Sequence, residues 1–120
     1  MAIDFSLSPE LEAIRERIRT FINDEVKPQE ERIRTERLDE TDRKAYVDAL
    51  LSMRRKAFKE GLWLPHMPAE WGGMGLGHVQ LAMVQAEAAK ASYGPWVLNC
   101  QAPDEGNMHT LLHWADDEQK

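Results

Sequence analysis

Apolar residues return every three or four positions through most of this chain. Leu11, Ile14, Ile18, Phe21 and Ile22 stand at offsets 0, 3, 7, 10 and 11, one face of a helix that turns every 3.6 residues. Ser8-Pro9-Glu10 supplies the start: a hydroxyl N-cap, a proline where its missing N–H costs nothing, and an acid in the first turn. Glu12, Arg15, Glu16 and Arg19 fill the opposite side, and Pro28 is expected to end the element. From Gln29 to Asp42 the chain is mostly charged, with only Ile33 and Leu38 large and apolar. A helix there is expected to be weakly anchored and mobile. Tyr46, Leu50, Met53 and Ala57, at offsets 0, 4, 7 and 11, predict a second core helix, and Gly61 suits the left-handed residue after its last turn. Val79, Ala82, Met83, Ala86 and Ala89 form a third stripe, ended by Gly94-Pro95, whose alanines imply a close neighbouring helix. Trp96 to Gln101 predicts a short helical turn. Asp104 is expected to cap a last helix, in which Met108, Leu111, Leu112 and Ala115 share a face. No segment alternates with period 2 over the length of a strand, so the pattern defines an all-α, up-and-down bundle-like fold.

Between the second and third patterns lies Leu62-Trp63-Leu64-Pro65-His66-Met67-Pro68-Ala69-Glu70-Trp71-Gly72-Gly73-Met74-Gly75-Leu76-Gly77. Its prolines and glycines force an irregular path, and its tryptophans and leucines ask for burial, so this loop is expected to pack against something. The 120 residues suffice for one domain and one core. With 42% apolar and 30% charged residues, and no apolar run approaching ~20 residues, no transmembrane segment is expected. A net charge of -6 opposes a nucleic-acid partner. The opening Met-Ala-Ile-Asp-Phe-Ser resembles neither a secretory signal nor a transit peptide, which points to the cytoplasm. Cys100, the only cysteine, is expected to be a small buried hydrophobe. Arg54-Arg55-Lys56 reads as a solvated helix end, where cations favour the dipole.

Gly73-Met74-Gly75-Leu76-Gly77 invites comparison with phosphate-cradling loops, but it follows a helix rather than a strand and lacks a Gly-Lys-Ser ending, which favours tight turns. His109 and His113, four apart, would face one metal ion if a third ligand were fixed; none is legible, so they read as surface histidines. Asp104-Glu105 and Asp116-Asp117-Glu118 are more economically helix-terminal acids than an acid/base pair. Met53, Met74, Met83 and Met108 read first as core filling, though adaptable methionine also suits flexible acyl chains. Asp116 and Gln119 have the spacing of a capping box. That box announces a helix for which no residues remain before Lys120, so the chain is expected to be one part of a longer polypeptide.

The order of these features is more specific than any of them alone. Lys56-Ala57, Gly61-Leu62-Trp63, Pro68-Ala69-Glu70-Trp71-Gly72-Gly73-Met74-Gly75-Leu76, Asn99 to Met108 and Glu118-Gln119-Lys120 together resemble the N-terminal domain of flavin-dependent acyl-CoA dehydrogenases. Cys100-Gln101-Ala102-Pro103-Asp104-Glu105-Gly106-Asn107-Met108 is similar to the subgroup acting on longer acyl chains. Gly77 departs from the Ser or Thr frequent there. The resemblance implies a middle β-domain and a C-terminal four-helix domain beyond this one, FAD as cofactor, acyl-CoA as substrate, an electron-transfer flavoprotein-like acceptor and a homo-oligomer at full length. It implies α-proton removal by a carboxylate with hydride transfer to flavin, both in the other domains. No residue of this chain is then catalytic, none is assigned to the flavin, no metal is implied, and the 120 residues alone are expected to be inactive. Gln101, Ala102, Asp104, Glu105 and Met108 are implied to line one wall of the acyl-chain cavity, with Leu98 and Leu112 as neighbours. Trp96, Trp114 and Leu112 are expected to form an exposed apolar patch where other domains are missing. The alternative is a free-standing helical protein-interaction module of the same fold.

Overall fold

Ser8 caps the first helix as its sequence dictates: in the computed structural model, which describes residues 2–120, its Oγ accepts the Leu11 N–H at 3.3 Å. Helix α1 runs Pro9–Phe21, and Ile18 and Phe21 are its buried positions. Pro28 does not end it. A π-helical turn, Ile22–Val26, intervenes, and α2 follows directly as Lys27–Glu36 with Pro28 in its first turn. The Lys27 N–H reaches back to the Ile22 carbonyl, a wider loop of chain than an α-turn. Pro28 therefore stands at a helix start, where a proline is tolerated, and not in a helix interior. The rod from Pro9 to Glu36 is about 40 Å long.

Arg37, in the left-handed region with φ 52°, separates α2 from the short α3, Leu38–Thr41. Ile33 and Leu38 are both buried and form a small cluster with Ala49. This charged stretch is thus anchored by the only two large apolar residues it has. Helix α4, Arg43–Lys59, is capped by Asp42, whose carboxylate accepts the Ala45 N–H at 3.0 Å. Its end follows the glycine signal: Gly61 has φ +71°, its N–H donates to the Phe58 carbonyl, and the Leu62 N–H donates to Ala57, a Schellman motif.

Helix α5, His78–Ala88, presents a different face from the one its alanines suggested. Leu81, Val84 and Ala88 are buried, whereas Val79 is 78% exposed and Ala82, Ala86 and Ala89 face outward. The helix is apolar on both sides, so periodicity does not choose between them. It ends at Ala88, before Gly94-Pro95, because Gly94 opens α6, Gly94–Val97. A Cβ on Gly94 would lie 1.9 Å from the Ala88 carbonyl oxygen, so the close approach is made by glycine and not by the alanine stripe. The main core joins Ile18, Phe21, Ile22 and Val26 of the rod to Met53 and Ala57 of α4, Leu81 and Val84 of α5, and Val97, Leu98 and Cys100.

Helix α7, Asp104–Trp114, begins one residue earlier than a cap at Asp104 requires: Pro103 precedes it and Asp104 occupies its first turn. It contains no fully buried residue. Among the described residues there is no strand, and no helix is long and apolar enough to cross a membrane.

Candidate functional site

The loop between α4 and α5 is held down from within and from below. Leu62, Pro65, His66 and Met67 are buried, while Trp71 remains 43% exposed. The Leu64 N–H donates to the Leu98 carbonyl at 3.0 Å, tying the loop to the segment after α6. A Cβ on Gly73 would stand 1.9 Å from the Met67 carbonyl oxygen and 2.6 Å from that of Leu64. The glycine run therefore makes room for the chain's own backbone, as the tight-turn reading requires. Gly77 lacks a capping side chain, and Gln80 reaches back to accept its N–H at 2.5 Å.

Arg54 corrects the reading of the basic run as a solvated helix end. Its guanidinium carbon lies 3.6 Å from the Trp96 ring centre and 5.0 Å from that of Trp63. It donates to the Trp96 carbonyl at 3.1 Å and to Asn99 Oδ1 at 3.3 Å. Desolvation pulls its pKa below the ordinary value, opposed by the charge of Asp104. Trp96 is consequently half-buried beneath a cation and is not part of an exposed apolar patch. Trp114, 86% exposed, and the half-buried Leu112 are what remain of the expected patch.

Helix α7 lies across the loop and leaves a mainly apolar groove of about 200 Å3, lined by Leu64, Met67, Trp71, Met108, Leu111 and Leu112, with Lys120 at its edge. Met108 and Leu112 therefore stand together, as the sequence suggested. Gln101 does not join them; it lines a separate cavity of about 480 Å3 with Tyr46, Leu50, Tyr93 and Trp96. Ala102 and Asp104 are exposed. Leu98 is fully buried in the main core. A turn at Ala102-Pro103 leads into α7, and the Glu105 N–H donates across it to the Gln101 carbonyl at 3.0 Å.

Glu105 is half-buried and pairs with His109, Oε1 to Nε2 at 3.3 Å. The His109 ring stacks 6.3 Å from that of His113 and lies 5.4 Å from that of His66. Among the described residues no three His, Cys, Asp or Glu side chains are arranged to hold a metal ion. His66 is 4% exposed, and neither ring nitrogen has a hydrogen-bond partner. Desolvation lowers its pKa, His109 lowers it further, and Glu105 opposes both. Cys100 is the buried hydrophobe its solitude suggested: desolvation, with Glu105 adding to it, pushes its thiol up to about 12, so it is no thiolate at neutral pH. His66 and Arg54 carry the polar chemistry here, and the sequence signal for His66 is a titratable side chain inside an apolar run between two prolines.

An all-helical domain with a bent apolar loop under its last helix is the class that this geometry defines. The sequence model described as Acyl-CoA dehydrogenase, N-terminal domain, matches residues 8–120, and the chain belongs to that family. It is 39% identical over 83 residues to human acyl-CoA dehydrogenase family member 11, covering 69% of this chain and 10% of that protein. It is 31% identical over 119 residues to mouse acyl-CoA dehydrogenase family member 10, covering 95% of this chain and 11% of that one. A solved Mycobacterium abscessus structure assigned as an acyl-CoA dehydrogenase superposes with a TM-score of 0.80 at 30% identity, over 97% of this chain and 30% of the other. The chain thus spans about a tenth of the curated relatives it matches.

Proposed function

We propose that this chain is the N-terminal helical lobe of an FAD-dependent acyl-CoA dehydrogenase and supplies one wall of the acyl-chain cavity. The observation that carries the reading is the apolar groove between α7 and the loop, where Met108 and Leu112 meet Leu64 and Met67. Apolar, adaptable side chains of this kind suit an alkyl chain without fixing its position. Glu105 belongs to the same helix, and Gln101 lies outside the groove. The lobe does not by itself fit a flavin dinucleotide: the glycine space at Gly73 is filled by backbone carbonyls, and the groove is apolar and small. We therefore assign the cofactor, the base and the redox step to other parts of the complete protein. Acyl-CoA is its substrate, an electron-transfer flavoprotein-like protein its acceptor, the cytoplasm its compartment, and a homo-oligomer its assembled state.

The test uses the complete protein that carries this chain. It should show flavin absorbance that bleaches anaerobically on adding an acyl-CoA. Met108→Trp should lower kcat/KM for long acyl chains by about tenfold while sparing short ones, the size of effect expected when a pocket loses room for a few methylenes. A colourless protein that takes up no FAD and oxidises no acyl-CoA would overturn the proposal.

A further inference from the structure

Arg54 stands where three parts of the groove's frame meet. It projects from α4, and its guanidinium packs over Trp63 of the loop and, more closely, over Trp96 of α6. Its Nε donates to the Trp96 carbonyl and a terminal nitrogen donates to Asn99 Oδ1. Both acceptors are neutral, so the two indole faces supply the negative potential that a half-buried cation needs. Asn99 is itself 6% exposed and held in the left-handed region at φ 55°. Asp104, the first residue of α7, acts on the same guanidinium through its charge.

These neighbours border both walls of the groove. Trp63 immediately precedes Leu64, which lines the loop wall. Asn99 opens the connector that runs to Pro103, and α7 then carries Met108 and Leu112 on the facing wall. The connector is also tied to α5, where Gln85 Nε2 donates to the Cys100 carbonyl at 2.7 Å. We propose that Arg54 is a positioning residue for the acyl-chain wall, a pin that fixes the loop and the start of α7 against each other and so sets the width of the groove. Without it the connector pivots on the Gln85 bond, and Met108 and Leu112 shift against Leu64 and Met67. Arg54 does not line the groove, so its removal alters which chain length fits and leaves the chemistry at the reacting carbons alone. That consequence for substrate rests on the acyl-wall reading, whereas the pin's hold on the two walls does not.

Two readings on the complete protein decide the matter. In methyl NMR of methionine-labelled protein, Arg54→Met should move the Met67 and Met108 signals and leave that of Met83, on α5, in place. In kinetics it should lower kcat/KM about tenfold for long acyl chains, chiefly through KM, and spare short ones, the effect of a pocket that loses room for about one methylene. A merely structural role would instead lower every chain length in proportion to flavin content. Arg54→Lys keeps the cation on the indoles and one donor without the planar fork, and should recover part of the long-chain value. Should Arg54→Met not fold, Asn99→Gly cuts the same tie at a positive φ that glycine accepts, and should move the same signals and the same ratio of long-chain to short-chain kcat/KM. Unmoved Met67 and Met108 signals, a uniform loss over all chain lengths, or a lysine variant no better than the methionine one would each overturn the pin. A ratio changed by Met108→Trp and not by Arg54→Met would overturn the pin alone. Signals that move while neither variant changes the ratio would overturn the acyl-wall reading and, with it, the pin's part in chain length.

Discussion

Glu87 is a carboxylate in the interior of a helix bundle, and its partners explain why it stays ionised there. Arg19 donates to it from α1 at 2.8 Å and 3.4 Å, and Lys90 donates at 2.9 Å. The Arg19 bond, against desolvation and with the help of Lys90, holds its carboxyl down at about 2. A carboxyl depressed in the folded state gives stability that is complete above the ordinary 4.5 and is lost as the pH falls through about 2. Glu87→Ala should therefore cost about 2 kcal/mol in urea unfolding at pH 7, less than the ~3–5 kcal/mol of a fully buried pair because Arg19 is 35% exposed. The cost should shrink in parallel experiments below pH 4. The same pair shows why part of the fold was not legible in the sequence. Ser8 and Gly61 act on neighbours three to five residues along the chain, and their signals were read correctly; the Asp42 cap is equally local but was not singled out. Glu87 is chosen as interior by an arginine 68 positions distant, and Arg54 by Trp96, 42 positions on. Local periodicity carries no trace of either partner.

At the scale of the element, α5 and α7 were harder to read than α1 and α4. Both mix apolar residues around the helix, so the pattern announces a helix without choosing its inward side. In α5 the buried side carries Leu81, Val84 and Ala88 together with Glu87, to which Arg19 donates. In α7 no side is covered completely. Its glycine is accordingly unconstrained: a Cβ on Gly106 meets nothing within 4 Å, whereas a Cβ on Gly73 runs into two carbonyls. Gly106→Ala should stabilise α7 by about 0.5–1 kcal/mol, the usual helical preference for alanine, and slow amide exchange along it. Gly73→Ala should destabilise the chain by about 1–3 kcal/mol, the range for an overpacked interior, seen as a lower urea midpoint. Met108, which the resemblance implied for the acyl wall, and Leu112, its implied neighbour, meet at the groove because they are four apart on this helix. Gln101 precedes the helix and lines a different cavity.

The described residues measure 51 × 45 × 23 Å. The thinnest dimension is about two helix diameters, and within this chain Phe58, Val79 and Trp114 are 70%, 78% and 86% exposed. The rod from Pro9 to Glu36 crosses this slab and enters both apolar clusters, through Ile18, Phe21, Ile22 and Val26 at one end and Ile33 at the other. Leu50 and Tyr93 touch both clusters as well. Had Pro28 cut the chain, the outlying patch around Ile33 would be a separate unit, free to melt early. The π-turn instead leaves one strut propping two interiors, and heat cannot dissolve the smaller without loosening the larger. Calorimetry should record one cooperative endotherm, with tyrosine and tryptophan signals falling together; an early transition confined to tyrosine would mean that the strut breaks at its joint.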